Sequence, residues 1–229
     1  MDPIQDDEQT WELMTHLFQA HPWHGLSIGS GAPEVVTAYV EIVPTDTVKY
    51  EIDKPSGHLK VDRPQLFSNF CPTLYGFVPQ TFCGEEVAAF AEERSDHPTV
   101  RGDADPLDIC ILTEKTFSHG DFILQAIPVG GLRLIDRGEA DDKIVAILKD
   151  DAAYGHCQEI GDLPGALVER LKHYFLTYKR PPEAERGTIE IRQIYGRAEA
   201  HEVIRRSQED YRKKFPDLRR RFLQALRRG

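Results

Sequence analysis

The spacing of apolar residues is helical near the start of the chain, alternating in the middle and helical again toward the end. Apolar side chains three or four positions apart predict an opening helix over residues 8–20, and a loop rich in glycine and proline follows over residues 21–33. Alternating segments predict strands at residues 37–43, 48–52, 107–112, 121–128, 131–135 and 143–148. Residues 85–102 are polar, and we expect a surface excursion there.

Helical spacing returns after Gly161. Leu171, Phe175 and Tyr178 share one face of a predicted helix that is entered through Pro164. A strand at residues 188–194, a helix at 198–214 and an amphipathic segment around Phe222 complete the prediction. Strands followed by helices predict the α+β class, a β-barrel or sandwich with helices packed on it.

No stretch of the chain has the composition of a linker, so we expect one domain over residues 1–229. Its predicted parts are an N-terminal helix and loop (1–36), a barrel core with its helix (37–197) and C-terminal helices with a basic tail (198–229).

Charge is unevenly distributed along the chain. The whole sequence carries 28 basic and 38 acidic side chains, a net charge of −10, yet the segment from Tyr211 to the end is strongly basic. The rest of the chain is therefore even more acidic than the total. The negative charge of residues before Tyr211 argues against a protein that mainly binds the phosphates of nucleic acid, and it favours one that binds divalent cations.

The sequence also bears on location. The longest apolar runs are about five residues, too short to span a bilayer, and the N-terminus is acidic where a secretory signal needs positive charge. We therefore expect a cytoplasmic protein without membrane contact. The four cysteines form no CxxC pair, which argues against a zinc ribbon and favours reduced, buried thiols.

The closest grouping of potential ligand side chains is the run Asp103-Ala104-Asp105-Pro106-Leu107-Asp108. Asp103 and Asp105 share a face of an extended chain, and Pro106 can turn Asp108 back toward them. Three adjacent carboxylates repel one another unless a cation lies between them. Oxygen ligands alone point to a hard ion, Mg²⁺ or Mn²⁺ before Zn²⁺.

An EF-hand loop and a solvated acidic turn are two other interpretations of this run. In an EF-hand loop starting at Asp103, Asp108 would stand at the position that needs glycine, and Leu107 would replace a ligand, so that interpretation fails. A solvated acidic turn explains a single Asp-x-Asp pair well, but it becomes a weaker explanation once a second acidic cluster is counted.

That second cluster runs from Asp136 to Lys143 between two predicted strands. Asp141 and Lys143 would share a face, with Asp142 turned away, and would place a metal ligand beside an anion ligand. A polar hairpin tip explains the same residues about equally well.

A third group lies on the early strands. Lys49, Glu51 and Asp53 would share one strand face, and Glu41 stands among apolar residues, where a carboxylate is costly unless it is paired. Arg63 and Tyr75 follow, and each taken singly is more often an ion-pair or core residue than a ligand group.

Together these blocks resemble the soluble family I inorganic pyrophosphatases. The resemblance rests on Asp103–Asp108, Lys49-Tyr50-Glu51-Ile52-Asp53-Lys54, Val61-Asp62-Arg63, Tyr75-Gly76, Asp136…Asp141-Asp142-Lys143 and His173-Tyr174-Phe175…Tyr178-Lys179, in family order over residues 39–211. It is closest to bacterial members that carry a His-Pro-Trp-His-Gly segment before the barrel, the chlamydial type among them. In this sequence that segment begins at His21.

The resemblance implies an OB-like five-stranded β-barrel flanked by helices, and Mg²⁺-dependent hydrolysis of pyrophosphate to two phosphates, with Mn²⁺ as a substitute. It assigns Asp105 as the general base. It assigns the metal ligands Asp103, Asp108, Asp141 and Asp136, the phosphate ligands Lys49, Arg63, Tyr75, Lys143, Tyr178 and Lys179, and the supporting carboxylates Glu41 and Glu51.

The sequence departs from the commoner bacterial pattern at Cys71 and Leu74, which bears on the shape of the pocket rather than on the activity. Relatives form dimers or hexamers, so we expect a homo-oligomer. An OB-type nucleic-acid module is disfavoured because the strands present carboxylates rather than aromatic and basic residues. A metal-buffering pseudoenzyme would lack a base or a phosphate ligand, and all of them are present here.

Overall fold

Residues 20–95, 100–179 and 188–216 are described by the structure, a computed structural model. Their strands, in chain order, are β1 (Val36–Ile42), β2 (Val48–Ile52), β3 (Leu59–Pro64), β4 (Leu74–Phe77), β5 (Arg101–Gly102), β6 (Asp108–Leu112), β7 (Phe122–Asp136), β8 (Glu139–Ala140), β9 (Lys143–Leu148) and β10 (Ile189–Gly196). The helices are α1 (Glu85–Ser95), α2 (Gly165–Thr177) and α3 (Arg197–Lys214), with a 3₁₀ turn at Ile160–Asp162.

Five of the strands close into a ring in the order β1-β4-β6-β9-β7, and β7 pairs back onto β1. All of these pairs are antiparallel except β6 with β9, which is parallel. The parallel pair sets Asp108 beside Lys143 at its start. The predicted α+β class with a five-stranded barrel is thus confirmed.

Strand β7 is one 15-residue strand where the sequence predicted two. Its first part pairs with β1, its middle with β9 and its end with β10. Pro128 lacks the N–H that a ladder uses, and the register with β9 shifts between Pro128 and Gly130. The strand continues through this irregularity because its partners change along its length.

The barrel wall is buried on both faces. Ile109 and Ile111 of β6 belong to one core cluster together with residues of α1 and α3. Cys110 and Leu112 belong to a second cluster together with residues of α2. Alternation along one strand therefore packs α2 against one face and α1 and α3 against the other.

The expectation of a surface excursion at residues 85–102 is wrong for its first half. Helix α1 buries Val87, Ala88, Phe90 and Ala91. Charged residues fill its outer face and two of its core residues are small alanines, so the hydrophobic pattern was weak. Strands β3 and β4 were also not predicted, because β3 is largely polar and β4 spans only four residues.

The predicted opening helix at residues 8–20 and the amphipathic segment around Phe222 lie outside the described residues, apart from Ala20. Within the described ranges, none of the helices combines the length and the apolar character that crossing a bilayer requires. The division into a single domain stays a prediction.

Candidate active site

One cleft of about 310 Å³ at the rim of the barrel collects almost all of the predicted site residues. Its charged and tyrosine lining consists of Glu41, Lys49, Glu51, Lys54, Asp62, Arg63, Tyr75, Asp103, Asp105, Asp108, Asp141, Lys143, Tyr178 and Lys179. Of the predicted residues only Asp136 is not part of the lining, and it lies next to the cleft through a hydrogen bond from Lys179.

Lys143 is the buried cation of the cleft. The parallel pairing of β6 and β9 places it beside Asp108, and its ammonium contacts both Asp108 and Asp141. Burial alone would lower the pKa of Lys143, but the two carboxylates raise it well above its ordinary value. Lys143 is therefore a permanent positive charge at the floor of the cleft.

Tyr75 contacts the same carboxylate oxygen of Asp108 as Lys143 does. Its hydroxyl donates to Asp108 Oδ2 at 2.6 Å from strand β4. Burial and the nearby Asp108 charge raise the pKa of Tyr75 well above its usual value, so the phenol stays protonated and remains a donor.

The Asp103–Asp108 segment is held by backbone contacts to the start of α1. Cys83 donates its N–H to Asp105 O at 2.8 Å and accepts from Ala104 N–H at 3.1 Å. Ala104 adopts a left-handed φ of 64°, and Asp105 N–H donates to Asp103 Oδ1 at 2.9 Å. The segment therefore bends at Ala104, and the expectation of an extended chain there with a turn at Pro106 is wrong. The three aspartates still line one cleft, with the Asp105 side chain about half exposed.

The carboxylates of this cleft influence one another. Burial, followed by the charge of Asp141, raises the pKa of Asp103 well above its ordinary value. Carboxylates held this close in a poorly solvated cleft favour the binding of a proton or a cation.

Glu41 is the most deeply buried carboxyl group of the early strands. It accepts a hydrogen bond from Ile52 N–H at 2.7 Å, and burial raises its pKa to about 8. The expectation that a carboxylate among apolar residues needs a partner is met by this backbone contact.

The β2–β3 hairpin supplies cations to the cleft. Lys49 and Arg63 stand opposite each other in the ladder. Lys49 Nζ lies 3.0 Å from Glu51 and 2.9 Å from Asp62, and Arg63 also contacts Asp62. Arg63 Nη2 is buried without a hydrogen-bond partner among the described residues, so it keeps a donor free for an anion.

Tyr178 and Lys179 enter the cleft from the end of α2. The Arg63 guanidinium lies 5.5 Å from the Tyr178 ring centroid. Lys179 Nζ donates to Asp136 Oδ2 at 2.8 Å, and although burial opposes it, this contact helps to hold the pKa of Asp136 below its usual value. Asp136 Oδ1 is buried without a hydrogen-bond partner among the described residues.

Lys54 and Asp62 belong to the sequence motifs that resemble the family, but no functional role was predicted for either residue. In the structure the Lys54 ammonium contacts Asp105, and Asp62 bridges Lys49 and Arg63. In the sequence, only their position inside the motifs that resemble the family indicated that they belong to the site. The contacts themselves depend on how the hairpin folds over the Asp103–Asp108 segment.

The donor set fits a hard divalent cation. It consists of carboxylate oxygens only, and Asp136 Oδ1, which has no hydrogen-bond partner in the described part of the chain, lies at its edge. Within the described ranges, no three Asp, Glu, His or Cys side chains form a ready metal site. In this state the Lys143 ammonium, rather than a further carboxylate, links Asp108 and Asp141.

The family model and two chlamydial relatives that match this sequence are all inorganic pyrophosphatases. The sequence model of the inorganic pyrophosphatase family matches residues 38–212. The inorganic pyrophosphatase of Chlamydia muridarum is 50% identical over 201 residues, which cover 86% of this chain and 96% of that protein. That of Chlamydia caviae is 51% identical over 199 residues, covering 85% of this chain and 92% of that protein.

A solved structure agrees with these sequences. The crystal structure of inorganic pyrophosphatase from Thermus thermophilus matches with a TM-score of 0.70 at 28% identity, covering 85% of this chain and 99% of that one. Since the family match spans most of the chain and the barrel places the motif residues in one cleft, this chain belongs to the inorganic pyrophosphatase family of enzymes.

Proposed function

We propose that this protein hydrolyses inorganic pyrophosphate to two phosphates, that it requires Mg²⁺, which Mn²⁺ can replace, and that Asp105 is the general base. The observation that carries the proposal is the composition of the cleft, where a set of carboxylates faces a set of lysine, arginine and tyrosine side chains. Carboxylates suit a divalent cation, and the cationic set suits a phosphate anhydride.

In the proposed arrangement Asp103, Asp108 and Asp141 would hold the tighter metal, Asp108 would also be a ligand of a second metal, and Asp136 and Asp141 would hold a metal that arrives with substrate. Bound Mg²⁺ would neutralise substrate charge and lower the pKa of a coordinated water.

The chain's own residues perform the remaining tasks. Asp105 accepts a proton at a carboxylate oxygen and orients the attacking water. Lys49, Arg63, Lys143 and Lys179 offset the charge of the phosphate oxygens, and Arg63 can bind two of them at once. Tyr75 and Tyr178 donate hydroxyl hydrogen bonds without adding charge. Glu41 and Glu51 support the lysine and hairpin positions.

Phosphate release from pyrophosphate tests the activity. We expect release with Mg²⁺ or Mn²⁺ and none with excess chelator. Absence of release at every Mg²⁺ concentration would contradict the proposal. The homo-oligomer and the cytoplasmic location stay predictions.

A further inference from the structure

Arg133 is a fully buried charge outside the cleft. From β7 it donates to Asp142 Oδ2 at 3.2 Å, to Glu199 Oε1 at 2.7 Å and to Gln193 Oε1 at 3.0 Å. The rings of Phe90 and Tyr195 each lie 5.0 Å from its guanidinium. A buried guanidinium is costly unless it is paired, so this arrangement holds the side chains that surround it.

Asp142 is the partner that connects Arg133 to the cleft. It stands between Asp141 and Lys143, and its side chain is 1% exposed. Its Oδ2 accepts from Arg133 Nη2 and from the Tyr195 hydroxyl, both at 3.2 Å.

The backbone around Asp142 has few contacts of its own. Strand β8 ends at Ala140 and β9 begins at Lys143, so residues 141 and 142 lie in a gap between strands. Across this gap Asp141 N–H donates to Leu134 O at 3.0 Å. The side-chain hydrogen bonds of Asp142 therefore add to the backbone hydrogen bonds that hold the segment next to Asp141.

The contacts of Asp142 also determine which way the side chains of Asp141 and Lys143 point. Neighbouring side chains of an extended segment point to opposite faces. With Asp142 bound to Arg133 on one side, Asp141 and Lys143 line the cleft on the other.

Gly131 makes room for this arrangement. A Cβ at Gly131 would lie 2.4 Å from atoms of the Tyr195 ring. The missing side chain allows the ring to lie against β7 and its hydroxyl to reach Asp142.

We propose that Asp142, anchored by Arg133 and Tyr195, is a positioning residue that orients Asp141 for Mg²⁺ binding. The inference rests on the proposed function, because it takes Asp141 to be a metal ligand. Residues that orient metal ligands commonly contribute roughly 10- to 100-fold to metal affinity.

The test compares two variants that each remove one carboxylate partner of Arg133. Asp142→Ala breaks the link to the cleft, whereas Glu199→Ala breaks the link to α3 and leaves the 141–143 segment intact. Mg²⁺ binding is measured by calorimetry on the full chain without substrate, and folding is checked by thermal unfolding. We expect Asp142→Ala to weaken Mg²⁺ binding roughly tenfold or more. Glu199→Ala should lower the melting temperature but keep wild-type Mg²⁺ affinity.

Equal weakening in both variants, or wild-type affinity in Asp142→Ala, would overturn the proposal. If Asp142→Ala does not fold, Tyr195→Phe removes one of the two donors and keeps the ring. It should still weaken Mg²⁺ binding, and unchanged affinity would overturn the proposal. A wild-type protein that binds no Mg²⁺ would overturn both the proposed function and this inference, whereas unchanged binding in a variant overturns the inference alone.

Discussion

Lys143 and Arg63 differ in how far their positive charges are already paired. Lys143 is already neutralised by Asp108 and Asp141 in this structure. Arg63 shares Asp62 with Lys49 and keeps Nη2 without a partner among the described residues. An anion entering the cleft would therefore meet a free donor on Arg63, while Lys143 must exchange carboxylate contacts for phosphate contacts.

Replacement of either cation should damage catalysis without unfolding the protein. We expect Arg63→Ala and Lys143→Ala each to lower kcat/KM roughly tenfold to a hundredfold, since a charge-assisted contact contributes about 1.5–3 kcal/mol. Lys149→Ala, which removes an exposed lysine paired with Asp150, is the matched control. Steady-state kinetics decides the point, and unchanged kcat/KM in either variant would show that the replaced residue does not contact the substrate.

Glu41 gives a pH-dependent prediction. Burial raises its pKa to about 8, so between about pH 4.5 and 8 the folded state holds a proton that the unfolded state has lost. Stability should therefore fall as pH rises through this window, by an amount on the order of a few kcal/mol. Unfolding in urea, without metal, should show a steeper loss of stability with rising pH in the wild type than in Glu41→Gln. Glu209→Gln, at a half-exposed position, should keep the steeper loss.

Helix α1 shows how one side chain supports an element next to the site. Asp210 of α3 accepts from the N–H groups of Gly84, Glu86 and Val87 at 2.9–3.1 Å, and so caps the start of α1. The adjoining Cys83 carries the backbone bonds that hold the Asp103–Asp108 segment.

Removal of this cap should destabilise the protein. Asp210→Ala leaves three N–H groups without their acceptor, and we expect a loss of roughly 1–3 kcal/mol in the free energy of unfolding. Urea unfolding of Asp210→Ala beside Glu209→Ala, its more exposed neighbour, measures this. Equal midpoints would show that the cap contributes nothing.

Elements with strong patterns could be predicted from the sequence. Strands β2 and β9 have the predicted bounds, and α2 begins directly after Pro164. Alternation or helical spacing was clear in each. Helix α1 was not predicted, because alanines stand where large core residues would give a clear pattern. The prediction of two strands in place of β7 was wrong, because Pro128 and the two glycines that follow it are typical of a strand end.

Closure of the barrel brings together cleft residues that lie as far apart in the chain as Glu41 and Lys179. The motifs identified most of these residues because their types and order match a family. The contact of Lys54 with Asp105 could not be predicted, since it depends on how the β2–β3 hairpin folds over the Asp103–Asp108 segment. The contact of Arg133 with Asp142 could not be predicted either, since it depends on how β7 pairs with β8 and β9.

Binding of divalent ions should stabilise the whole molecule, because the carboxylates of the cleft come together only in the folded chain. We expect Mg²⁺ at a hundredfold excess over its dissociation constant to stabilise the fold by about 2.7 kcal/mol, a rise of several degrees in melting temperature. Ca²⁺ should also raise the melting temperature but support little turnover, because it prefers longer bonds and more ligands. Thermal unfolding beside phosphate release measures both effects. Comparable turnover with Ca²⁺ alone would contradict the proposed role of Mg²⁺.

A titration of Mg²⁺ against phosphate release for wild type, Asp105→Asn and Asp103→Asn tests the assigned roles of these aspartates directly. Asp105→Asn keeps the size of the side chain but cannot accept the proton, so turnover should fall roughly 10²- to 10⁴-fold at every Mg²⁺ concentration. Asp103→Asn weakens a metal ligand, so added Mg²⁺ should restore part of its activity. If Mg²⁺ restores Asp105→Asn as fully as Asp103→Asn, Asp105 is a ligand and the assignment of the general base is wrong.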